Sequence, residues 1–110
     1  MAYNISITQG ENYDLVAGIT NASGQPVNMS GYNVRGQVRY SYGSTGVMLN
    51  LAPDIVSEAS GIIQISLTPS ETAVLPVTVA VYDIEKYSEN DAVVNKILNG
   101  TFTINPEVTR

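Results

Sequence analysis

The chain has no cysteine, no histidine and no tryptophan. Without cysteine there is no disulfide framework, no thiolate zinc site and no thiol nucleophile, so packing alone must hold the core. Without histidine the commonest general base near neutral pH and the commonest transition-metal ligand are both missing. Serine nucleophiles then lack a base, and a Ser–Lys arrangement would need Lys86 or Lys96 buried, which their loop and strand positions do not provide. Paired carboxylates could act on a glycosidic bond only in a cleft deeper than so small a domain encloses. The expectation is a protein that is not an enzyme, with no catalytic residue, no cofactor and no metal.

Charge is also scarce. Charged residues make up 14% of the chain, and ten acidic against five basic residues leave a net charge of -5. That sign is wrong for a nucleic-acid ligand, whose phosphates call for clustered Lys and Arg. No apolar run approaches the roughly 18 residues of a membrane span, and the start Met1-Ala-Tyr-Asn-Ile-Ser-Ile lacks a basic region followed by an apolar stretch. Neither nucleic acid nor membrane is expected as a partner, and synthesis as a soluble protein in a cytoplasm is.

What the chain does have is a two-residue rhythm. With 110 residues, 44% of them hydrophobic, it suits one core and a single domain over residues 1–110. Ile5 and Ile7 alternate with polar neighbours, as do Leu15, Ala17 and Ile19. From Tyr32 to Ser41 the pattern is cleanest, with Val34, Gly36, Val38 and Tyr40 on one face and Arg35, Gln37 and Arg39 on the other. Further runs cover Val47 to Leu51, Ile62 to Leu67, Val77 to Glu85 and Val93 to Ile104. Turn clusters separate them, among them Asn21-Ala-Ser-Gly24, Tyr42-Gly-Ser-Thr-Gly46 and Ala59-Ser-Gly61. The spacing predicts an all-β, immunoglobulin-like Greek-key β-sandwich of about seven antiparallel strands. One segment departs from it: Thr68-Pro69-Ser70-Glu71 has capping-box spacing with proline at the first helical position, which predicts one short helical turn near residues 69–74, ended by Pro76.

Candidate sites are few. Arg35, Gln37 and Arg39 project together from the cleanest strand, either to pair with carboxylates on a neighbouring strand or to meet an acidic partner. Seven of the eight aromatic residues are tyrosine, a side chain that offers amphipathic contact area at modest entropic cost. Tyr40 and Tyr42 flank the loop from Ser41 to Gly46, and Tyr82 and Tyr87 bracket an acidic segment. Arg35, Gln37, Arg39, Tyr40, Tyr42 and Tyr87 therefore form the candidate interface. Asp83, Glu85, Glu89 and Asp91 could suggest calcium, but no glycine-punctuated ligand loop accompanies them and a solvated acidic loop explains them as well. The Asn-X-Ser/Thr matches at Asn4, Asn21, Asn28 and Asn99 are what an Asn-, Ser- and Thr-rich chain produces by chance.

Three stretches carry a resemblance: Asn28-Met-Ser-Gly-Tyr-Asn-Val-Arg-Gly-Gln-Val-Arg39, Ile65-Ser-Leu-Thr-Pro-Ser-Glu-Thr-Ala-Val-Leu75 leading into Val81-Tyr-Asp-Ile84, and Lys96 through Arg110. Together they resemble the small immunoglobulin-like virion proteins of tailed bacteriophages, including the N-terminal domain of siphophage upper-baseplate proteins. The resemblance implies a bacteriophage virion structural protein, a tail-, baseplate- or fibre-associated adaptor acting through protein–protein contacts with other virion proteins in a symmetric assembly. It implies no catalytic residue, and a location in the virion after assembly in the host cell cytoplasm. Two other readings remain open: a capsid decoration protein on the outer head shell, and a carbohydrate-binding module that uses its tyrosines on host glycans.

Overall fold

A computed structural model describes residues 2–108; Met1 and the Thr109–Arg110 end of the third motif stretch lie outside the described residues. Eight strands form two sheets, with one helical turn between them. In chain order these are β1 (Ile5–Thr8), β2 (Tyr13–Gly18), β3 (Asn33–Arg39), β4 (Leu49–Asn50), β5 (Asp54–Ser57), β6 (Ile62–Leu67), α1 (Pro69–Ala73), β7 (Thr78–Tyr87) and β8 (Val94–Asn105). The five-stranded sheet runs β1-β8-β7-β3-β4 and the three-stranded sheet β2-β6-β5. Consecutive strands β2 and β3, and β6 and β7, lie in opposite sheets, which is the Greek-key sandwich the alternation predicts.

The alternation decides what is buried. Ile63, Ile65 and Leu67 from β6 face Ala80, Tyr82 and Ile84 from β7 and Phe102 and Ile104 from β8, all in one core cluster. Tyr82 and Phe102 meet edge-to-face with centroids 6.2 Å apart. Each such large side chain contributes about 1.5–3 kcal/mol by leaving water. On β8 the register shifts by one residue after Ile84 of β7, so consecutive Ile97 and Leu98 are both buried. Beyond that bulge Leu98, Phe102 and Ile104 face inward, while Val94 to Lys96 before it are exposed.

The helical turn forms as its capping box requires. The Thr68 hydroxyl accepts from the Glu71 N–H at 3.2 Å and the Glu71 carboxylate accepts from the Thr68 N–H at 3.0 Å. Thr72, fully buried, donates its hydroxyl to the Glu11 carbonyl at 2.8 Å, and the Gln9 amide donates to the Leu75 carbonyl at 2.6 Å. The turn is thereby stapled to the β1–β2 connection.

Two features differ from the sequence expectation. β5 is an additional strand: four residues after Pro53 are too short to show a rhythm, and β4 shrinks to Leu49–Asn50 because Ala52 takes a φ of 44° just before that proline and turns the chain away. The other is that β1 pairs parallel to β8 while every other named pair is antiparallel. Side chains hold this parallel edge. The Tyr82 hydroxyl donates to the Tyr3 carbonyl at 2.5 Å, the Thr101 N–H donates to Asn4 Oδ1 at 3.1 Å, and the Asn105 amide donates to Ser6 Oγ and the Ile7 carbonyl. Gly100 makes room: a Cβ there would lie 2.2 Å from the Tyr3 carbonyl oxygen.

Two predictions follow from that contact. Gly100→Ala should lower stability by about 1–3 kcal/mol, the usual cost of overpacking against backbone, whereas Gly18→Ala, with nothing within 4 Å, should cost nothing; urea midpoints for the two variants check this. Burial holds the Tyr82 pKa well above its ordinary value of 10.0, with Tyr13 and Tyr3 adding to the effect. A raised folded-state pKa contributes stability that is complete below the unfolded value and is lost as pH climbs beyond it. Tyr82→Phe should therefore be about 1 kcal/mol less stable near neutrality, through loss of the hydrogen bond, yet decline less steeply than wild type above pH 10. Parallel stability curves through that alkaline range would contradict the assignment.

Candidate functional site

Strand parity places Arg35, Gln37 and Arg39 on the outer face of the five-stranded sheet, and pairing supplies their neighbours. Across β3–β7, Arg35 stands opposite Glu85, Gln37 opposite Asp83 and Arg39 opposite Val81. On the other side Gln37 stands opposite Asn50 of β4. The chain leaving β3 turns back so that Tyr42 reaches the same face. These side chains line an open basin of about 330 Å³.

The loop that forms its rim is built from Arg39. Its guanidinium donates to the Ser44 carbonyl at 2.8 Å, to the Thr45 carbonyl at 3.3 Å and to Gln37 Oε1 at 2.9 Å. The hydroxyls of Ser41 and Ser44 lie 3.1 Å apart and tighten the same turn. Arg35 is held differently: Nε meets Glu85 at 3.0 Å, Nη1 meets Asp91 at 3.4 Å, and the guanidinium lies 4.4 Å from the centroid of Tyr87. The hydrogen bond with Glu85 raises the Arg35 pKa further above its already high value, with Asp91 assisting. Lys96 approaches Asp83 at 3.5 Å.

Five of the six candidate residues are thus brought together. Arg35, Gln37, Arg39 and Tyr42 line the basin, and Tyr87 stacks on Arg35 at its margin. Tyr40 does not join them: its place in the alternation is opposite the arginines, and just beyond the end of β3 it is 56% exposed and lines a separate depression with the loop from Gly43 to Met48. Of the alternatives for the arginines, Arg35 pairs with carboxylates, whereas Arg39 binds backbone carbonyls and meets no carboxylate among the described residues. Sequence reasoning missed Asn50, and it set Asp83 and Glu85 on one face of a strand without placing them beside the arginines. The signal for both lay in cross-strand register, which alternation along one strand does not contain.

The acidic segment is dispersed by its partners. Asp83, Glu85 and Asp91 each face a cation, and no group of three or more metal-ligating side chains occurs among the described residues. Two of the four sequon asparagines serve turns: Asn21 Oδ1 accepts from Ser23 and Gln25, and Asn28 Oδ1 accepts from Ser30. The chain matches no family model and no curated protein.

Because Arg35 and its partners are largely exposed, their ion pairs are screened. Arg35→Ala should leave the denaturation midpoint close to wild type, with any difference fading as salt approaches roughly 1 M. Hydrogen exchange should speed up in the turn from Glu89 to Asp91, which Arg35 tethers. A large loss insensitive to salt would show that stacking on Tyr87, and not charge, is the main contribution.

Proposed function

We propose that the chain is a structural module of a tailed-bacteriophage virion, joining components of the tail, baseplate or fibre through protein–protein contacts and without catalysis. The observation that carries the reading of a contact module is the free edge of β2. β2 pairs only with β6, so one side of Tyr13–Gly18 has no ladder partner among the described residues. Natural monomers guard such edges with lysine, proline or a bulge; this one holds Asp14 as its sole charge, and Val16 is 61% exposed. A six-residue edge with a single charge is a template for strand addition by a neighbouring chain, with backbone hydrogen bonds supplying affinity and exposed side chains supplying selectivity. Repetition of such contacts around a symmetry axis suits a rigid two-sheet block.

The assignment to a phage particle is supported by the three motif stretches. They fall on β3, on β6 through β7, and on β8.

Val16→Lys places a guard on the β2 edge at an exposed position. The variant should fold with wild-type stability, within about 0.5 kcal/mol, and its incorporation into particles should fall sharply. Immunogold labelling of wild-type particles should decorate the tail region. Label spread over the head would make the chain a decoration protein, and full incorporation of Val16→Lys would remove β2 as the docking edge.

A further inference from the structure

We propose that the basin on the five-stranded sheet binds a neutral hexopyranose unit of a glycan. This goes beyond the assembly role, which rests on the opposite sheet.

Charge balance selects the ligand class. The basin is lined by two arginines and two carboxylates, and these are already engaged: Arg35 with Glu85 and Asp91, Asp83 with Lys96, and Arg39 with the Ser44 and Thr45 carbonyls. An anionic ligand would find no uncommitted cation there, and a metal ion no uncommitted pair of carboxylates. What remains unused is directional hydrogen-bonding capacity without net charge. The Asn50 amide makes no hydrogen bond among the described residues, Gln37 uses its oxygen for Arg39 and keeps its NH₂ group, and Asp83 keeps its second oxygen. A polyhydroxylated neutral molecule needs donors and acceptors of this kind.

Their arrangement is regular. Asn50, Gln37 and Asp83 stand directly opposite one another on β4, β3 and β7, a straight row of two amides and a carboxylate across three strands. Neighbouring strands lie about 4.8 Å apart, which matches the separation between alternate equatorial hydroxyls on a pyranose ring. Beside the row, the Val81 side chain gives an apolar patch for a C–H face. At the rim stands Tyr42, 71% exposed and free of any hydrogen bond or ring contact among the described residues, an amphipathic ring for the sugar's apolar side. A volume of about 330 Å³ lies at the small end of ligand sites and fits one ring with the rest of the glycan outside.

The test uses the full chain on a glycan array and in a ¹⁵N-detected NMR titration with array-positive oligosaccharides. The array carries glucose, galactose, mannose and N-acetylglucosamine termini beside sialylated and uronate-ended counterparts. The expected result is saturable binding to a neutral terminus, with shifts confined to residues 35–42, 49–51 and 81–85. Tyr42→Ala and Asn50→Ala should each weaken it about tenfold, with circular dichroism unchanged because both side chains are on the surface. An array blank at every neutral terminus would overturn the proposal, as would a preference for the acidic counterparts or undiminished binding by both variants. Val16→Lys should bind glycan normally and Tyr42→Ala should enter particles normally, so failure of either role is visible separately.

Discussion

Everything in this molecule depends on apolar side chains from two sheets meeting in one dry layer. No disulfide or metal-binding cysteine is available to share the task. The seam of Ile63, Ile65 and Leu67 against Tyr82, Ile84 and Phe102 fixes which residues of β3, β6, β7 and β8 face inward, and so fixes by parity which face out. The basin is a by-product of that constraint: once Gly36 and Val38 point to the core, Arg35, Gln37 and Arg39 have one remaining direction. The bulge at Ile97 performs the same service on β8, turning Lys96 outward toward Asp83 while burying two residues in succession.

The two sheets divide the chemistry unequally. All four cations among the described residues, Arg35, Arg39, Lys86 and Lys96, belong to β3, β7 and β8. Lys86 lies 4.5 Å over the ring of Tyr32, so it too is spent locally. The outer face of the three-stranded sheet has none, and offers Asp14, Asp54, Val16 and Val56. One surface is a lattice of mutually satisfied charges with open amide groups between them; the other is weakly acidic and backbone-rich along one edge. Two kinds of contact can therefore proceed on opposite sides of a slab without interfering.

Local signals in the sequence were read correctly wherever the physics is local. The capping box from Thr68 to Glu71 completes itself within four residues, and alternation from Asn33 to Arg39 needs only one strand. Parallel docking of β1 was not visible, because it depends on Gly100 leaving space for a carbonyl 97 residues earlier. β5 was lost for the opposite reason: a strand of four residues is too brief for a period. Of the site, the arginine row was legible and its setting was not. Asn50 comes from a two-residue strand, and Tyr40, which the alternation sets on the face opposite the arginines, lines a separate depression.

The β1–β8 pair also dictates when the domain can close. Ile5 stands beside Phe102, so the first strand has no place in its sheet until β8 has left the ribosome. Until then β1 and the partner edge of β8 cannot shield each other, and contacts of such long sequence separation are slow to form. The sandwich is therefore sealed last along this seam, and β1 waits as an unpaired apolar segment for a partner made almost a hundred residues later.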